Sequence, residues 1–121
     1  MIPTEHAEQV KVIAWADIAK GRWPELGLLF AVPNGANKSI AAAMKFRREG
    51  LKKGVPDLCL PVPRAGFHGC FVEMKRQKGG SNSPEQRAWL EALKEQGYHA
   101  VRCNGADAAI ATITQYLESA A

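Results

Sequence analysis

Val55-Pro56-Asp57-Leu58-Cys59-Leu60 and Cys70-Phe71-Val72-Glu73-Met74-Lys75 are the two short runs on which the fold of this chain turns. Each has the length of a strand. Pro61, Pro63, Gly66 and Gly69 between them are turn formers, so the pair predicts a β-hairpin. Along the second run side chains alternate across the strand. Phe71, Glu73 and Lys75 share one face, and Cys70, Val72 and Met74 share the other. A charged pair in the middle of such a strand is costly unless something partners it. Asp57, at the head of the first run, brings a further carboxylate. A divalent cation between Asp57 and Glu73 supplies the missing partner, and hard oxygen donors suit Mg2+ or Mn2+. The Met74 backbone carbonyl, between the two key side chains, offers a third ligand. These parts suit phosphodiester hydrolysis: an ion lowers the pKa of water, and Lys75 orients that water or stabilises the transition state.

Outward from the hairpin, the remaining elements follow from caps and periodicity. Thr4 is the N-cap of a first helix running to about Ala19, with Val12, Ile13, Trp15, Ala16 and Ala19 as its apolar stripe. Gly21 and Pro24 end it. Leu26 to Val32 reads as a buried strand, stopped by Pro33-Asn34-Gly35. Ser39 caps a second helix, Ile40 to Glu49, closed by Gly50. Lys45, Arg47, Arg48, Lys52 and Lys53 make this the most basic stretch of the chain. Beyond the hairpin, Gly79, Gly80 and Asn82 form a loop. Ser83-Pro84-Glu85-Gln86 then starts a helix as a capping box, which Gly97 closes. His99 to Cys103 is a final strand, and Asp107 caps a last helix carrying Ile110, Ile113, Thr114 and Leu117. The order α, β, α, β, β, α, β, α predicts an α/β fold, a mixed central sheet flanked by helices, as one domain over residues 1–121.

Bulk properties narrow the function classes. Hydrophobic residues make up 46% of the 121, which rules against disorder. Sixteen basic against twelve acidic residues give a net charge of +4, compatible with a polyanionic partner though shared by many proteins. Cys59, Cys70 and Cys103 are odd in number and form no C-x-x-C pair, so a zinc ribbon or dithiol redox site is not expected. Buried reduced thiols and a cytoplasmic setting are. The polar N-terminus is not expected to be a signal peptide, and no apolar run approaches the roughly 20 residues that span a bilayer. A phosphate-cradling glycine loop and a nucleophile elbow are both absent, which argues against a small-metabolite enzyme. His6, His68 and His99 are scattered. Trp15, Trp23 and Trp89 fit a core or an interface better than base stacking.

Taken in order, Gly54-Val55-Pro56-Asp57-Leu58, Glu73-Met74-Lys75 and Ser83-Pro84-Glu85-Gln86 resemble the VRR-NUC domain, a branch of the PD-(D/E)xK nuclease superfamily. Pro33-Asn34-Gly35, the basic Gly50-Leu51-Lys52-Lys53-Gly54 and the opening Glu5 and Gln9 are similar to it too. The resemblance runs from Thr4 to about Leu117. It implies a restriction-endonuclease-like core and a metal-dependent endonuclease acting on DNA, selective for branched structures such as Holliday junctions. It also implies Asp57 and Glu73 as metal ligands, Lys75 as the catalytic lysine, Glu5 reaching the metal from the first helix, and Gln86 facing the site. Glu8 is the alternative to Glu5. Capping is a sufficient role for Ser83 and leaves Gln86 open to a second one. A stand-alone phage or bacterial member of this kind is expected to be a homodimer working in the cytoplasm of a bacterial cell or phage-infected host, in DNA repair or junction resolution. The competing reading is a DNA-binding module without catalysis, against which the intact Asp57, Glu73 and Lys75 weigh.

Overall fold

A computed structural model of the chain describes residues 1–33 and 39–121. Thr4 Oγ1 accepts the Ala7 amide and opens helix α1, Glu5–Ala19. A 3-10 helix, Pro24–Leu28, leads to the short strand β1, Phe30–Ala31. Ser39 caps α2, Ile40–Arg48, which ends at Glu49 before Gly50 turns the chain with φ 98°. Strands β2, Leu58–Leu60, and β3, Cys70–Lys75, form the antiparallel hairpin. Helix α3, Pro84–Glu95, carries the chain to β4, His99–Asn104, which lies parallel to β3. Helix α4, Ala106–Glu118, closes the fold. The sheet order among the described residues is β1-β2-β3-β4, with β1–β2 and β2–β3 antiparallel and β3–β4 parallel.

The core lies between the sheet and helices α1 and α4. Cys70, Val72 and Met74 point into it from β3 and meet Val12 and Ala16 of α1 and Ala109, Ile113 and Leu117 of α4. Each such large side chain contributes about 1.5–3 kcal/mol by leaving water. The three cysteines are free and buried. Burial pushes the Cys70 thiol up to about 12, with the nearby Cys103 and Cys59 adding to the rise.

Four expectations need correction. The run Leu26 to Val32 is not a buried strand. Pro24 starts a 3-10 turn instead, and of its residues Leu26 is the one that is buried. Leu28, in that turn, is 55% exposed, and Phe30 is 49% exposed because β1 is an edge strand with, among the described residues, a neighbour on one side alone. Strand β2 begins at Leu58, not Val55: Pro56 has no amide to place in a ladder. On α1 the buried line is Glu8, Val12 and Ala16, while Ile13 faces outward. Asp107 does not cap α4. The N-cap is Gly105, at φ 91°, and Asp107 sits in the first turn as a favourable charge at the positive helix end. Asn34 and Gly35 lie outside the described residues.

Candidate active site

Three elements converge on one group of carboxylates. Thr4 fixes the start of α1 and so presents Glu5 in its first turn. Asp57 stands one residue before β2. Its Oδ2 accepts the Met74 amide across the hairpin at 2.7 Å, and its backbone carbonyl accepts the Val32 amide, also at 2.7 Å. Glu73 projects from the middle of β3, on the face opposite Met74. One oxygen each from Glu5, Asp57 and Glu73 lie within 4.8 Å of one another. Asp57 and Glu73 are 6% and 1% exposed, whereas Glu5 is open to solvent.

Glu73 is only partly satisfied. Its Oε2 accepts the Gln86 side-chain amide at 3.1 Å and lies 3.8 Å from Lys75 Nζ. Its Oε1 is buried with no donor. Burying a carboxylate with one oxygen left without a donor is costly, because the desolvation penalty can exceed what a single ammonium returns. Burial first, then the Asp57 charge and the hydrogen bond a protonated Glu73 would give Asp57, together push the Glu73 carboxyl up to about 8, against the pull of Lys75. Glu5 is raised as well, first by burial and then by Asp57, against the pull of Lys75. A cation between the three carboxylates would remove the repulsion and occupy the orphaned oxygen. The residues present fit a hard divalent ion, with oxygen donors on two strands and a helix. For Met74, the group that contacts the site in the structure is its amide, through Asp57.

Lys75 is almost fully buried, and its ammonium donates to Gln86 Oε1 at 3.1 Å. That same oxygen accepts the Ser83 amide at 2.8 Å, while Ser83 Oγ accepts the Gln86 amide at 3.1 Å. Gln86 thus completes the capping box of α3 and joins Glu73 to Lys75 with its two amide atoms. The helix cap and the site are one hydrogen-bonded unit, so the orientation of Lys75 depends on where α3 begins.

Glu8 has a different role from the one left open in the sequence. It is 1% exposed, and its Oε1 accepts the Ala106 amide at 3.2 Å. It caps α4 from a distance, the duty expected of Asp107, and lies outside the carboxylate group. Of the basic stretch, Arg47, Lys52 and Lys53 line a cleft of about 490 Å³ above Glu5, Asp57 and Gln86. Lys45 and Arg48 are not among its lining residues. Sequence reasoning named Gly54 within two motifs but missed its structural role. It holds φ 93°, and a Cβ there would stand 2.7 Å from the Glu85 backbone, so the segment before Asp57 lies tightly against the start of α3. The signal was available in the glycine between Lys53 and Val55. Also missed were the cleft walls, for which the sequence carried no sign.

Comparison with known proteins now bears on this arrangement. Residues 5–107 match the model of the VRR-NUC domain. A solved structure described as a VRR-NUC domain protein superposes with a TM-score of 0.84 at 30% identity, covering 98% of this chain and 91% of the other. No curated protein matches the sequence.

Proposed function

Because the chain belongs to the VRR-NUC domain family, a family of nuclease type, we propose that it is a metal-dependent deoxyribonuclease that hydrolyses phosphodiester bonds within branched DNA. The single observation that carries the reading is the buried, donorless Glu73 Oε1 beside Asp57, Glu5 and Lys75. A cluster so poorly compensated has a reason to exist if a cation sits in it.

Asp57, Glu73 and the Met74 carbonyl would hold Mg2+ or Mn2+, with Glu5 directly or through water. When bound, the ion lowers the pKa of water and neutralises charge developing on the phosphate. Asp57 is held for this by the Met74 amide, which fixes one of its oxygens and leaves the other for the ion. Lys75 lies where its ammonium can orient the attacking water or meet the phosphate oxygens, and Gln86 keeps it from collapsing onto Glu73. Arg47, Lys52 and Lys53 draw the DNA backbone towards the cleft.

The whole chain, residues 1–121, is read as one such domain. Symmetric cutting of a four-way junction needs two sites, so the working form is proposed as a homodimer. The three free buried thiols favour a reducing compartment, the cytoplasm of a bacterial cell or infected host, and a role in DNA repair. No helix among the described residues is long and apolar enough to cross a membrane.

The test pairs a labelled four-way junction with a linear duplex of the same arms, in Mg2+, Mn2+ or EDTA. Symmetric, metal-dependent cuts confined to the junction are expected. Binding without cutting under every metal would instead make the chain a non-catalytic DNA-binding module.

A further inference from the structure

The face of the sheet that carries Glu73 and Lys75 continues onto β4. The parallel register sets Glu73 opposite Arg102 and Lys75 opposite Asn104. Residues paired across neighbouring strands point to the same side, so Arg102 and Asn104 stand beside the carboxylate and the lysine. Val101 and Cys103, between and before them, turn to the core instead.

Arg102 does not close on Glu73. A guanidinium and a carboxylate make a strong pair when they meet, and Glu73 Oε1 has no donor. Among the described residues, the cation paired with Glu73 is nevertheless Lys75. Arg102 donates Nη2 to the Gly80 carbonyl at 3.0 Å and Nε to Asn104 Oδ1 at 3.2 Å. Asn104 in turn donates Nδ2 to the Arg76 carbonyl at 3.0 Å. Both side chains thus hold the loop that joins β3 to α3, one near its start and one at Gly80. That loop gains little stiffness from its own sequence. Residues 76–81 are exposed, and Gly79 and Gly80 restrict the backbone least of all residues. Yet Lys75, immediately before it, is 6% exposed. Gly80 supplies part of the cover: a Cβ built on it would stand 3.6 Å from Lys75 Cδ, so its backbone lies alongside the lysine stem. An exposed, glycine-rich loop stays over a buried side chain when something ties it there, and β4 supplies such ties.

We infer that Arg102 and Asn104 are positioning residues, a clamp that keeps the Gly80 backbone on the Lys75 stem and so keeps the ammonium beside Gln86 and Glu73. Gln86 holds the head of Lys75 from α3, and the clamp confines its stem from β4. With the stem released, the ammonium can swing towards solvent and away from the carboxylates. The inference rests on the hydrolytic reading in giving Lys75 a task at the phosphate; the clamp itself is read without DNA.

The experiment acylates the lysines of the full chain in EDTA with limiting acetic anhydride and reads each one by peptide mass spectrometry. Lys20 and Lys94, both exposed, serve as the internal measure of dose. Lys75 should react slowly in the parent chain and about tenfold faster in Arg102→Ala, with Lys20 and Lys94 unchanged, since a charged donor no longer holds the loop closed. Arg102→Lys, which can still donate to the Gly80 carbonyl, should restore most of the protection. Glu8→Ala, which loosens the start of α4, should leave Lys75 as slow as in the parent. Equal labelling of Lys75 in Arg102→Ala and the parent, or equal acceleration in Glu8→Ala, overturns the inference. Should Arg102→Ala fail to fold, Asn104→Ala, at an exposed position, decides by the same readout. On DNA, Arg102→Ala should lower kcat about tenfold and leave KM near its parent value. A raised KM with unchanged kcat would make Arg102 a DNA contact and overturn the clamp. Lys75 unprotected by Arg102→Ala in a chain that cuts no DNA upholds the clamp and sinks hydrolysis. A chain that cuts DNA, with Lys75 equally protected in parent and variant, sinks the clamp and leaves hydrolysis standing.

Discussion

The two faces of strand β3 are built to opposite standards. On one, Cys70, Val72 and Met74 meet the apolar residues of α1 and α4, and every contact lowers the free energy of the folded chain. On the other, Phe71 and Tyr98 meet edge to face, and beyond them Glu73 is buried beside Lys75 with one oxygen lacking a donor. The same six residues thus supply both stability and stored electrostatic cost. The first face holds the second in place. A strand anchored by Val72 and Met74 cannot slide to relieve Glu73, because a shift of one residue would expose its whole apolar set.

Glu73→Gln should break this contrast most sharply. On the proposed mechanism DNA hydrolysis should fall on the order of 10³-fold, since the carboxylate proposed to hold the ion is lost. Thermal stability of the metal-free protein should hold or rise, because the repulsion with Asp57 goes. A variant that loses activity and stability together would show that Glu73 is structural. On the opposite face, Met74→Ala should cost about 2–5 kcal/mol in urea unfolding through the cavity it leaves. Activity per folded molecule should change far less.

The contrast is repeated along α1, between residues one turn apart. Glu8→Ala leaves the Ala106 amide without a partner and should cost about 1–3 kcal/mol of stability. Glu5→Ala should leave stability nearly unchanged and reduce cutting. Equal loss of activity at equal stability in the two variants would place Glu8 in the site after all.

The smallest effect is the dependence on pH. Glu73 has a folded pKa of about 8 against 4.5 for the ordinary group. Its protonated form is favoured by folding, so its contribution is complete below about 4.5 and is lost as pH rises through about 8. The Tm of the metal-free protein should therefore decline across that window. Glu73→Gln should flatten the decline, and so should saturating Mn2+. A Tm that rises with pH over the window in the metal-free protein would contradict the burial of an uncompensated Glu73.

Much of this was legible in the sequence wherever one local rule governed. Alternation assigned the faces of β3, Ser83-Pro84-Glu85-Gln86 gave the start of α3, and Thr4 and Ser39 gave two further caps. Two of the readings that failed needed a neighbour distant in the chain. Leu26 to Val32 is as apolar as a central strand, but β1 ends the sheet and leaves Phe30 half exposed. Asp107 has the right residue type for a cap, yet Glu8 reaches the α4 amide first from the other end of the chain.

The sequence by itself determined which side of β3 carries the carboxylate and the lysine, because a period of two leaves no choice once the strand exists. It also determined that Gln86 opens a helix. Only the tertiary structure decided which carboxylate of α1 joins Asp57 and Glu73. Residues three apart on a helix are neighbours on its surface, so Glu5 and Glu8 are nearly equivalent in the sequence. The docking of α1 against α4 separates them, turning Glu8 onto the Ala106 amide and leaving Glu5 in the lining of the cleft.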